Sequence, residues 1–338
     1  MTEHTKIPLP QSGPQGEDDD APSASLIERA AERFDFRRFV APAVPVPPES
    51  ATRRATERLS HERKEAKASA LNSYGDEPLP DRSHIAPVRP ASFSAEQAPI
   101  DRELLRANGF IDPEGSVTAL LEEFRIVKRQ LLLRASQLMR QEPTAKNQRV
   151  LISSPHPGEG KTYCAVNLAL SIAAERDSDV LLVDADFAKP SILSALGLPS
   201  GPGLMDALMD ETLDVADLVL GTDIPGLWVL PAGNTSTSDS EYLSSVRTER
   251  VLERLTQNAP KRTVIFDSPP ALAASPAAEL AKHVGQVVVI VRADSTGQGA
   301  LEDAVSLLSS CPNMELLLNA AQFSPSGRRF GSYYGYSE

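Results

Sequence analysis

Tryptophan occurs once and cysteine twice in these 338 residues, and aromatic side chains make up only 5% of the chain. Two thiols, Cys164 and Cys311, are too few for a disulfide framework and stand without metal-ligand spacing, so both are read as structural. No apolar run reaches the roughly 18 residues that a membrane-spanning helix needs. The first 20 residues are polar and acidic, unlike a secretory signal, so the expected location is the cytoplasm. Positive charge is also short: 34 Lys and Arg against 46 Asp and Glu leave a net charge of -12, which argues against non-specific nucleic-acid binding.

What is present is concentrated in one place. Val150-Leu151-Ile152-Ser153-Ser154 reads as a buried strand, and Ala165–Ala173 repeats its apolar positions at helical spacing. Between them lies Pro155-His156-Pro157-Gly158-Glu159-Gly160-Lys161-Thr162. Strand, glycine-bearing turn and helix in that order form a phosphate-binding loop. Its glycines let backbone N–H groups turn onto a polyphosphate, the helix N-terminus adds a favourable dipole, Lys161 reaches the β and γ phosphates, and the Thr162 hydroxyl ligates Mg²⁺. The full pattern GxxxxGK[ST] has glycine where this chain has Pro155, so the loop is a variant whose tight turn rests on Gly158 and Gly160.

Around that motif the chain is uneven. Residues 1–110 hold nearly half of the 28 prolines and read as a largely disordered region. Within it, Ser25–Phe34 is expected to form a short amphipathic helix with a Ser25/Glu28 capping box. Pro42–Pro48 is a spacer, and Arg53–Lys67 is a solvated charged run. A helix is expected over 116–139, where Val117, Leu120, Leu121, Phe124, Val127, Leu131, Ala135 and Leu138 share a face. Strands then follow at 150–154, 180–184, 227–231, 263–267, 286–292 and 314–318, separated by helices at 161–175, near 190–197, at 241–257, 276–283 and 298–309. That alternation predicts an α/β domain over 111–322, a doubly wound, mostly parallel sheet with helices on both faces. Residues 323–338 are expected to form a flexible tail.

Ligands in such sheets sit at the carboxyl ends of the strands. Asp184 and Asp186 close one apolar strand there and Asp267 closes another, so three acids are expected to converge on one metal-bound nucleotide, with Thr162 and one aspartate near the ion and Asp267 acting through water. Asn319 and the segment Pro231-Ala232-Gly233 are candidates for the adenine. At the far end, Tyr333, Tyr334 and Tyr336 put three of the six tyrosines into the last six residues. About 20 residues beyond Asn319 span up to roughly 65 Å, enough to reach a site on this subunit or its neighbour. A phenol of pKa about 10 attacks a γ-phosphoryl group only with an aligned base, which a strand-end acid supplies.

These features together resemble the bacterial tyrosine kinases, a branch of the P-loop NTPases, over residues 115–338. The resemblance lies in the variant Walker A loop PHPGEGKT (155–162), the Walker A′ segment LLVDADFAKP (181–190), the Walker B segment VIFDSPP (264–270) and the terminal tyrosines. It implies ATP and Mg²⁺ as cofactors, and a nucleotide site made of Pro157, Gly158, Glu159, Gly160, Lys161, Thr162, Tyr163 and Asn319. It gives metal-binding roles to Thr162, Asp184 and Asp267, and catalytic roles to Lys161, Asp184, Asp186 and Asp267, with either A′ aspartate as the base. Tyr333, Tyr334 and Tyr336 would be the phosphoacceptors of an autokinase that regulates exopolysaccharide production. Glu122, Arg125 and Lys128 are similar to the ExxRxxR helix used for homo-oligomeric ring assembly, with Lys in place of the last Arg. Ser25–Ala30 resembles the start of autokinases encoded with exosortase-linked loci. A separate membrane chain-length protein as activator, through which the chain sits at the inner membrane, and a phosphotyrosine phosphatase complete the implied partners.

Two other classes compete. A partitioning or cell-division switch ATPase shares the deviant Walker fold, but its KGGxGKT loop carries a lysine where this chain has His156, and the tail lacks a basic amphipathic helix. A nucleotide-binding scaffold differs from the kinase only in turnover.

Overall fold

The structure, a computed structural model, describes residue 93 and residues 97–234 and 238–321. All belong to the second of two compact units, Ile85–Glu338. The Ser25–Phe34 helix, the Pro42–Pro48 spacer, the 53–67 run and the tyrosine cluster lie outside the described residues.

An eight-stranded sheet runs through this unit: β1 (Gln97–Ala98), β2 (Arg149–Ser153), β3 (Asp179–Asp184), β4 (Leu220–Thr222), β5 (Leu227–Leu230), β6 (Arg262–Asp267), β7 (Gln286–Arg292) and β8 (Met314–Asn319). Their spatial order is β1-β4-β5-β3-β6-β2-β7-β8. Every pairing is parallel except β4 with β5. β2 lies between β6 and β7, and all five of its residues are buried. Burial on both faces is why its middle residues, Val150, Leu151 and Ile152, read as an unbroken apolar run.

Alternate strand residues feed two cores. Leu151, Leu181, Val183 and Phe266 face α5 (Leu204–Met209), α6 (Asp239–Leu243), α7 (Val246–Thr256), α8 (Pro276–Ala281) and α9 (Gln298–Leu307). Val150, Ile152, Leu182 and Ile265 face α1 (Arg102–Ala107), α2 (Ala119–Gln141), α3 (Lys161–Ala173) and α4 (Ile192–Leu196). Helices thus cover both sides, as the alternation predicts. Among the described residues no helix is long and apolar enough to cross a membrane.

Three differences from the sequence reading have local causes. Ordered structure starts well before residue 110: Asp101 caps α1 by accepting from Glu103 and Leu104 N–H, Leu105 is fully buried, and Asn167 of α3 accepts from Ile111 N–H at 2.8 Å. The helix expected at 241–257 is two, because Ser245 takes an extended conformation (φ -73, ψ 154) and begins α7 afresh. The helix expected from 116 starts at Ala119, where the Thr118 hydroxyl accepts from Leu121 N–H, and it ends at Gln141, ahead of Pro143.

Candidate active site

The loop between β2 and α3 carries the sequence motif at the carboxyl edge of the sheet. Gly158 and Gly160 adopt φ of 79° and 99°, conformations that side chains resist. The turn they make leaves the N–H groups of residues 158–163 without a bond to any other described residue. Six donors around the N-terminus of a 13-residue helix form a cradle for an anion. Lys161, only 7% exposed, opens that helix.

Beneath the cradle, Thr162 Oγ1 donates to Asp267 Oδ2 at 2.5 Å and lies 3.3 Å from Ser191 Oγ. Asp267 is completely buried, and its Oδ1 has no partner among the described residues. Burial pushes its carboxyl up to about 7, against the Thr162 hydrogen bond that lowers it. Next to it in register on β3 stands Asp184, raised to about 6 by burial. Both Asp184 oxygens are already engaged: Oδ2 accepts from Ser191 and Ile192 N–H at 2.9 Å and Oδ1 from Asp186 N–H at 3.3 Å. Asp186 is half-buried, its carboxyl raised by burial and held back by the nearby Lys161 ammonium.

This division narrows the expectation of three acids around one ion. Among the described residues no group of three or more His, Cys, Asp or Glu is arranged to hold a metal by itself. Asp184 anchors the turn into α4. The unpartnered Asp267 oxygen beside the Thr162 hydroxyl is the pair that fits a hydrated Mg²⁺ arriving with phosphate oxygens.

Other expected residues take different places. The Glu159 side chain turns away from the cradle into the protein, 3% exposed, accepting from His156 N–H at 2.8 Å and from the Thr296 hydroxyl at 2.5 Å. Its backbone N–H bonds no other described residue. Pro157 and Gly158 are exposed at the loop tip. The Tyr163 hydroxyl donates to Gly109 O at 2.9 Å and its ring stacks on Phe110, so only its N–H remains for phosphates. Asn319 Nδ2 donates to Glu159 O at 2.9 Å, which places the side chain against the loop. Pro231 and Ala232 give their carbonyls to Leu204 and Met205 N–H, so that segment anchors α5. On α2, Glu122 and Arg125 pair with each other at the surface. Lys128 does not join them: it is 8% exposed and ties α2 to α3 through Ser171 O at 3.1 Å and Glu175 at 2.9 Å.

Sequence reasoning missed Arg292 and Thr296. Arg292 Nη1 donates to Gly158 O at 2.9 Å, and Thr296 holds Glu159. Their one visible signal was a basic residue at the carboxyl end of an apolar strand, with a hydroxyl four positions on.

A doubly wound sheet with a glycine-bearing anion cradle, a lysine and a Thr–Asp pair at its carboxyl edge defines a P-loop nucleotide-binding protein. No family model matches the chain. Individual proteins do. Tyrosine-protein kinase YwqD of Bacillus subtilis is 31% identical over 191 residues, covering 55% of this chain and 76% of YwqD. Tyrosine-protein kinase ptk of Acinetobacter johnsonii is 32% identical over 159 residues, covering 47% of this chain. The chain therefore belongs to the bacterial tyrosine-protein kinase family. It spans only 21% of the Acinetobacter protein and 25% of the putative tyrosine-protein kinase EpsB of Ralstonia solanacearum. The kinase domain of Escherichia coli tyrosine kinase ETK, 24% identical with a TM-score of 0.50 over 60% of this chain and 78% of that one, shares the fold.

Proposed function

We propose that this chain is an ATP-dependent protein-tyrosine autokinase that phosphorylates Tyr333, Tyr334 and Tyr336 of its own C-terminal cluster, between subunits. The observation that carries the reading is the Thr162 hydroxyl bonded to the buried Asp267, whose Oδ1 is unpartnered among the described residues, on the same loop and helix start whose 158–163 N–H groups bond no other described residue. Family membership supplies the reaction class.

The residues divide the work. The 158–163 N–H groups and Lys161 hold the triphosphate and take up the charge of the transferring group. Thr162 and Asp267 would hold Mg²⁺, which when bound neutralises phosphate charge. Asp186 accepts the phenol proton, since both Asp184 oxygens are engaged. The tyrosine oxygen bonds to the γ-phosphorus as the bond to the β-bridging oxygen breaks, with ADP leaving. Each phosphate adds close to two negative charges beside three acids, so a modified tail is repelled from the site.

At the level of the cell, the proposal is control of exopolysaccharide polymerisation and export, in the group encoded with exosortase-linked loci. It includes activation by a separate membrane chain-length protein that brings the cytoplasmic chain to the inner membrane, reversal by a phosphotyrosine phosphatase, and homo-oligomerisation through Glu122 and Arg125.

Purified protein, stripped of phosphate and incubated with γ-labelled ATP and Mg²⁺, is expected to carry label on Tyr333, Tyr334 or Tyr336 by mass spectrometry, and Lys161→Met is expected to abolish it. Hydrolysis without tyrosine label would point instead to a partitioning-type switch ATPase. Binding without turnover would point to a scaffold.

A further inference from the structure

Three side chains from one corner of the sheet grip the phosphate loop from below. Arg292, the last residue of β7, donates to Gly158 O at 2.9 Å. Asn319, the last residue of β8, donates to Glu159 O at 2.9 Å. Between them Thr296 links two groups with one hydroxyl: it accepts from Arg292 N–H at 2.9 Å and donates to Glu159 Oε1 at 2.5 Å. The other Glu159 oxygen accepts from His156 N–H, so the carboxylate spans the loop from its first turn to the start of α9.

The tethers take only carbonyls and a buried carboxylate. They leave the N–H groups of residues 158–163 without a bond to any other described residue. A loop with two glycines at positive φ has many conformations open to it, and fixing one before the ligand arrives reduces the entropy lost on binding. Glu159 is also a negative charge held next to the place of a triphosphate, and two hydrogen-bond donors keep it facing away.

We infer that Glu159, Thr296 and Arg292 form a positioning unit that holds residues 158–160 in the anion-binding conformation, and that Thr296 is its keystone. This rests on reading 155–162 as the phosphate loop, and holds whether or not a tyrosine is the acceptor. Thr296→Val keeps the shape but removes both hydrogen bonds, leaving Glu159 with one donor and Arg292 N–H with no acceptor. Thr296→Ser keeps both. Glu159→Gln can accept from His156 or from Thr296 through its single amide oxygen, not from both.

The test uses the full chain, a fluorescent ATP analogue with Mg²⁺, and the thermal midpoint of the nucleotide-free protein. Thr296→Val is expected to weaken nucleotide binding about tenfold and to raise KM for ATP more than it lowers kcat. Its nucleotide-free midpoint stays within about 2 °C of the parent, and Thr296→Ser restores affinity to within about twofold. Arg292→Met, at an exposed position, provides a variant that threatens folding less, with binding expected to fall about fivefold. Equal affinity in Thr296→Val or Arg292→Met, or a Ser variant as weak as Val, would overturn the inference. Parent protein that binds nucleotide with no tyrosine label would defeat the kinase reading and leave this one standing.

Discussion

Asp267→Asn should change how the nucleotide-free protein responds to pH, and the sign follows from burial. An unfolded aspartate ionises near 3.8, whereas the folded site holds Asp267 up to about 7. Between those values the unfolded chain has lost a proton that the folded protein keeps. Stability from this group is therefore fully present below about pH 4 and is lost as pH rises through 7. About three pK units at 1.36 kcal/mol each give a loss on the order of 4 kcal/mol, an upper bound because Asp184 and Asp186 titrate in the same site. The amide removes the ionisation while its oxygen still accepts from Thr162. Urea unfolding from pH 4.5 to 8 should show the parent losing stability relative to the variant by ~2–4 kcal/mol. Mg²⁺ and nucleotide bind the ionised form, so their stabilising effect should grow over the same interval in the parent alone. Parallel pH curves for the two proteins would refute the assignment of a protonated, buried Asp267.

Gly160→Ala would place a Cβ 2.1 Å from Asn319 Nδ2 at φ 99°, whereas Gly158→Ala meets nothing within 4 Å at φ 79°. Nucleotide titration should show binding lost in the first and weakened about tenfold or less in the second. Leu105→Ala should destabilise the chain by about 3 kcal/mol in urea unfolding, because this side chain is fully buried; an effect below about 1 kcal/mol would mean that α1 is not part of the folded unit. Lys128→Met breaks an internal tie between α2 and α3 and should cost about 1–3 kcal/mol without changing the assembly mass by light scattering. A smaller assembly at unchanged stability would return Lys128 to a subunit interface.

Six strands were legible because each carries a short run of apolar residues, closed by a polar or charged residue in all but β5; the inner strands are buried on both faces, whereas the edge strand β8 is partly exposed. β4, three residues containing Gly221, and β1, two residues, carry no such pattern and exist through their pairing partners. α1 is equally hidden: six residues held by an aspartate cap and one buried leucine fall below what helical periodicity can register. In the site, residue types and spacing identified the loop, its lysine, its threonine and the strand-end acids. They could not say which way a side chain turns. Asp184 and Asp186, two apart, look interchangeable on paper, yet only the first sits where the start of α4 offers it two N–H groups. Glu159 looks like a loop residue facing the ligand and instead faces the protein. Arg292 and Thr296 lie more than 130 residues from the loop they hold, a relation that only the β2–β7 pairing reveals.

The two thiols bear on where a probe can be attached to this chain. Cys164 and Cys311 are 2% and 1% exposed, and burial pushes the Cys164 thiol up to about 12, so neither presents a nucleophilic thiolate to a reagent at neutral pH. A fluorophore or spin label on a single cysteine introduced beyond Tyr336 would thus report from that point alone, with the native residues left in place.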